Sequence, residues 1–174
     1  MNEISPSELD QTSIVAAWKD IVLSIDDWKA AVAAVTPEDS PSGVVYDLPD
    51  FAPGRPESFA IVDLRAIGKA GGVDEPHYHA NGEVEVHIPI AGSSKANIGG
   101  QERTFTVGDV VVINSEIAHF FVPDEDYVVG VVSLPSFDPE NYVPVTPEAP
   151  GPNTVKFDRA AYAGYIAVAP SQEL

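Results

Sequence analysis

Between residues 58 and 134 the chain is a series of short β-branched and aromatic runs, and this pattern limits its fold most narrowly. SFAIVDLRAI, EVEVHIPIA, ERTFTV, DVVVIN, HFFV and YVVGVVSL are separated by GKAGG, GSS, IGG, VGD and PDED. Short runs of this kind between glycine-, proline- and aspartate-rich breaks read as strands of a sandwich or barrel. Composition agrees: Gly 13 and Pro 16 of 174 residues make about 17% of the chain, against a usual sum of about 12%. That excess suits an all-β chain better than a helical bundle. At this length a single domain is expected, hiding roughly 70% of the surface its unfolded chain exposes. A hydrophobic fraction of 44% can supply such a core. No internal repeat is visible, so one barrel unit is expected.

The flanks read differently. Over residues 12–35, Ile14, Trp18, Ile21, Val22 and Ile25 recur at three- and four-residue steps and make one apolar helical face. Ser24 with Asp27 reads as a loose capping box for a second start, whose face continues through Trp28, Val32 and Val35. Thr36-Pro37 ends it, because a residue before proline is pushed out of the α region. Residues 36–57 hold five prolines and read as an irregular arm with a short strand at Val44–Asp47. Residues 135–152 hold six prolines and read as a second irregular arm, and Ala161–Ala169 reads as a last strand or short helix. The expected organisation is an N-terminal helical region and arm over 1–57, a barrel over 58–134, and a segment over 135–174 completing the same domain.

Charge narrows the partners. Nine Lys and Arg against 27 Asp and Glu give a net charge of −18. Such a surface repels phosphate backbones and anionic headgroups, so neither nucleic acid nor a membrane is an expected partner. With no cysteine there is no disulfide framework, thiolate metal site or cysteine nucleophile. No apolar run approaches the length of a membrane span. The start MNEISPSELDQ is acidic and polar, unlike a signal peptide, so a cytoplasmic location is expected.

The chemistry concentrates in one window. All four histidines, His77, His79, His87 and His119, fall within 43 residues. Residues two apart on a strand point to the same face, so His77 and His79 can reach one ion. Glu83, Glu85 and His87 share one parity, while Val84, Val86 and Ile88 share the other. If the apolar set packs outward, three polar side chains enter the barrel, where charge is costly unless paired or bound to metal. Imidazole plus carboxylate suits one divalent transition metal: Fe, Mn, Zn, Ni or Cu.

With GGVDEPHYHANGEVEVHIPIAG and GDVVVINSEIAH, the chain resembles the cupin superfamily of small β-barrels. The first segment matches Gly, His-x-His, Glu, Gly. The second matches Gly, five residues, Pro-x-Gly, two residues, His, with Asn114-Ser115-Glu116 in place of Pro-x-Gly. The motifs cover residues 71–122, and the N-terminal helices lie outside them. The resemblance implies an all-β cupin (jelly-roll) fold and a metal held by His77, His79, a glutamate and His119. Glu83 fits the gap after His79, whereas Glu85 fits the six-residue gap to Gly92. Glu85 is favoured, because loops absorb insertions more easily than paired strands. His87, of the same parity, leaves a four-histidine site open.

Phe59, Ile61, Phe121, Val129 and Val131 are candidates for a substrate cavity, with ordinary core as the alternative. Asp63 and Arg65 read as an edge pair exposed to water, or as an inward pair. Tyr78 should point outward. The resemblance implies a metal-dependent enzyme on a small organic substrate, with a dioxygenase first. A non-redox cyclase or isomerase, in which Glu83 or His87 moves the proton, is second. A small-molecule-binding barrel without turnover is the third reading. Family barrels often pair, so a homodimer is expected.

Overall fold

Strand formation follows the β-branched runs closely. The computed structural model describes residues 11–25, 27–49 and 56–146. Two helices come first, α1 (Gln11–Leu23) and α2 (Trp28–Val32), then the hairpin β1 (Glu38–Ser40) and β2 (Gly43–Asp47). β3 (Ser58–Asp63), α3 (Arg65–Lys69), β4 (His77–His79) and β5 (Val84–Ala91) follow. β6 (Ser93–Ile98), β7 (Gln101–Thr106), β8 (Val111–Ile113), β9 (His119–Pro123), β10 (Val128–Leu134) and β11 (Tyr142–Pro144) complete the series. One sheet runs β1-β2-β3-β10-β5-β8 and the other β11-β4-β9-β6-β7. Every strand pair is antiparallel. Among the described residues no helix is long and apolar enough to cross a membrane.

Helix α1 decides which face of the six-stranded sheet is which. Trp18 and Val22 are buried against Phe59, Ile61, Val86, Ile88, Val128 and Val132. The Trp18 and Phe59 ring centroids are 5.2 Å apart. Gly130 stands in the middle of this contact, where an added Cβ would come within 2.9 Å of Val22 and 3.1 Å of Phe59. A glycine there lets helix and sheet approach. Since side chains alternate along a strand, the neighbours of these residues turn to the interior. Ser58, Ala60, Val62, Glu85, His87, Val129, Val131 and Ser133 accordingly line one cavity. Val86 and Ile88 thus pack outward, as their parity suggests, but Phe59 and Ile61 do too. Those two belong to the helix-facing core and not to the cavity, because the covering helix lies on the side the sequence left unassigned.

Several local readings are corrected. The run from Ser58 to Ile67 is a strand only to Asp63. There the Asp63 carboxylate accepts the Arg65 N–H at 3.0 Å and the chain turns into α3. Arg65 also forks onto Asp63, with its Nη2 at 2.6 Å, and lies 5.0 Å from the Trp28 ring centre. This outer pair does not line the cavity. Gly71, at φ 67°, closes the end of α3, with Gly72 N–H donating to the Ile67 carbonyl. Gly99-Gly100 does form a hairpin turn, β6 to β7, with φ of 57° and 82°. Ser24 is no cap for α2, since its hydroxyl donates back to Ile21, and Asp27 caps the helix through Lys29 N–H. The proline-rich arms are not wholly irregular, for they contribute β1 and β11. Ala161–Ala169 lies outside the described residues.

Trp18 is fully buried. Its replacement by alanine should cost about 3–5 kcal/mol, the usual range for truncating a buried large aromatic. Chemical denaturation of Trp18→Ala beside the parent checks this. A loss under about 1 kcal/mol would mean that α1 is not a fixed part of the core.

Candidate metal centre

Two sheets meet at the histidines. His77 and His79 stand on β4, and His77 is the direct cross-strand partner of His119 on β9. Glu85 stands opposite them on β5, paired with Ile113 and Ser133. One ligand atom from each of His77, His79, Glu85 and His119 lies within 4.8 Å of all the others, and all four residues are buried. Ligands around one ion with bonds of about 2.0–2.2 Å lie within about 4.4 Å of each other. Only a small inward movement therefore separates this arrangement from a coordination shell.

The hydrogen bonds orient the rings for that role. His77 Nδ1 is 2.7 Å from the Glu75 carbonyl, and His119 Nδ1 is 2.9 Å from the Ile117 carbonyl. A carbonyl only accepts, so each Nδ1 carries the proton and each Nε2 presents a lone pair. His79 Nε2 and His119 Nε2 are buried with no hydrogen-bond partner, although Glu85 oxygens stand 3.3 and 3.5 Å away. Unpaired buried nitrogens around a carboxylate are the donor set that a divalent cation satisfies. The residues present fit a metal.

Electrostatics agree. Burial alone would raise Glu85, but His119, His79 and His87 hold its carboxyl well below the ordinary range. Burial pulls His77 well below its ordinary value, helped by neighbouring His119. His79 is pushed up to about 9: burial opposes the shift, and Glu83 and Glu85 outweigh it. The cluster is therefore built to hold positive charge, with a proton on His79 standing where a cation would.

The two glutamates occupy different places. Glu85 faces the cluster and the cavity. Glu83 is fully buried behind His79, its Oε1 3.3 Å from Nδ1, and its Oε2 accepts from Asn141 Nδ2 at 3.2 Å. A carboxylate behind a ligand histidine fixes the ring and raises its basicity. Glu83 is outside the cavity lining, which sets the sequence-based expectation of a proton-moving Glu83 aside in favour of a positioning place. His87 does line the cavity. Its ring stacks on Phe121 at 4.8 Å and 6°, and its Nε2 donates to Glu85 at 3.0 Å. It stands beside the four clustered residues and not among them. Phe121, Val129 and Val131 line the same cavity, of about 330 Å³, whereas Phe59 and Ile61 do not. Tyr78 packs on the outer side with Ala118, Phe120 and Val145.

The sequence reading missed the contribution of the second arm. Tyr142 on β11 stacks on His77 at 4.3 Å and donates to Glu75 at 2.9 Å. Phe137 meets the His79 ring edge-on at 6.0 Å. Isolated aromatics among prolines carry no periodic signal, so nothing in the sequence marked them. Asp74 and Tyr127, also in the cavity wall, were missed as well.

No family model matches the chain, and no curated protein matches its sequence. Among solved structures, Pac13, a nucleoside dehydratase, aligns with TM-score 0.52 and 10% identity over 70% of this chain and 94% of its own. A variant of Streptomyces PAC13 with uridine gives 0.52 and 9%, over 66% and 86%. A protein from Planctomyces limnophilus aligns at TM-score 0.50 and 18%, over 64% and 91%. At such identities the likeness speaks for the fold. This two-sheet barrel, with histidines on β4 and β9 and a glutamate on β5, has the cupin fold. Within that fold the chain is a small barrel with a short N-terminal helical region and a buried His/Glu cluster that could bind a metal.

Metal analysis of the purified full chain should find close to one divalent ion bound per chain. His77→Ala with His79→Ala should abolish uptake, and Glu85→Gln should weaken retention more than Glu83→Gln. The latter should lose about 10–100-fold in affinity, as expected for a group behind a ligand. Loss of metal from Glu83→Gln with retention by Glu85→Gln would reverse the assignment of the two glutamates.

Proposed function

We propose that the protein is a metal-dependent enzyme acting on a small organic molecule by proton transfer, in the lyase, isomerase or cyclase class. The observation carrying this reading is His87, which lines the cavity beside the cluster with one ring nitrogen committed and the other free. Its Nε2–H donates to Glu85, and its Nδ1 is buried with no hydrogen-bond partner. A base held by stacking on Phe121 is positioned without being a clustered ligand. His77, His79, Glu85 and His119 would hold the ion, which supplies Lewis-acid polarisation of a substrate oxygen. Around it, Phe121, Val129 and Val131 exclude water, Glu83 fixes the His79 ring, and His87 takes or returns a proton at Nδ1. Pac13, of the same fold, is a nucleoside dehydratase, which makes nucleosides one set of molecules to test. The second reading is a dioxygenase, favoured by three imidazoles and a carboxylate, a donor set that also suits iron.

Untargeted mass spectrometry separates the two. Zinc- and Fe(II)-loaded protein is incubated under nitrogen and under air with nucleosides and a small-metabolite extract. The proposal expects conversion under nitrogen, with unchanged mass or loss of water. His87→Ala should slow it by about 100-fold or more, the usual contribution of a general acid–base group, while retaining metal. Conversion only with iron and oxygen, with oxygen atoms gained, would establish the dioxygenase instead.

A further inference from the structure

The wall of the cavity restricts what it can take. Glu38, Asp39 and Asp47 stand on it, Glu85 lies buried in it, and among its described residues there is no lysine or arginine. Away from the histidine cluster, an anionic group would meet like charge and find no cationic side chain. A second observation lies apart from the histidines. Tyr127 packs with Leu64, Val62, Val129 and Val131, a part of the wall holding none of the clustered residues. It is fully buried, and its hydroxyl has no hydrogen-bond partner. Buried polar groups in native proteins are nearly always paired, so this one calls for a partner. Nearby Asp74 is fixed in the wall: its carboxyl accepts the Phe121 N–H, and its own N–H donates to the Phe121 carbonyl at 3.1 Å. Burial holds the Asp74 carboxyl well above its ordinary value and so favours an uncharged acid, which can donate as well as accept.

We propose that the cavity takes an uncharged, hydroxyl-bearing small molecule, whose polar end away from the histidine cluster is held by Tyr127 and Asp74. The inference rests on the metal-site reading and adds the substrate class to it. Three catechols sharing one chelating diol test it by calorimetry on the zinc-loaded full chain: protocatechuate, its benzyl alcohol analogue and methylcatechol. The alcohol should bind at least about tenfold more tightly than the acid. Tyr127→Phe removes only the hydroxyl. It should weaken the alcohol by about two- to tenfold, the worth of one hydrogen bond, and leave methylcatechol unchanged. Equal affinity for acid and alcohol, equal weakening of alcohol and methylcatechol, or no binding by zinc-loaded protein would overturn this inference alone. Failure to take up zinc at all would overturn the metal-site reading and this inference with it.

Discussion

The strict alternation of side chains along β3, β5 and β10 is the constraint on which the rest depends. One face of these strands meets Trp18 and Val22 of α1, and the other lines the cavity. A shift of one residue in β5 would send Glu85 and His87 into the helix interface and Val86 and Ile88 into the site. Register is therefore doubly specified, by apolar contact outside and by charge pairing inside. Gly130 belongs to the same device, because only a residue without a side chain lets Val22 and Phe59 close over that point.

Burying carboxylates and imidazoles together is the second constraint, and it follows from the first. A buried charge is tolerated only when paired or bound to a cation. Asn141 donates to Glu83, and Glu83 and Glu85 stand 3.0–3.5 Å from the imidazoles, which leaves the unpaired nitrogens of His79 and His119 for a cation. The backbone carbonyls of Glu75 and Ile117 settle the tautomers of His77 and His119. Rings fixed in this way meet an ion with little reorganisation. Tyr142 extends the support, since it packs on His77 while tying β11 to Glu75.

The sequence made legible whatever repeats at a fixed period. The β-branched runs marked the barrel strands, His77 and His79 announced a shared face, and the gap to Gly92 distinguished Glu85 from Glu83. Illegible was whatever depends on a distant element. Nothing local to Phe59 and Ile61 says on which side a helix will lie, and that choice alone decides core against cavity. β3 ends where the Asp63 carboxylate accepts the Arg65 N–H and the chain turns into α3. The arm after residue 134 lacks periodicity because prolines break it, yet it delivers Phe137, Asn141 and Tyr142 to the histidines through pairing with β4.

The central claim is that one ion is held by three imidazoles and the Glu85 carboxylate while His87 stands aside. X-ray absorption spectroscopy of the metal-loaded protein reads this most directly. The account predicts three imidazole nitrogens and carboxylate oxygen at about 2.0–2.2 Å, a count unchanged in His87→Ala and one imidazole lower in His119→Ala. An imidazole lost from the shell of His87→Ala would contradict it.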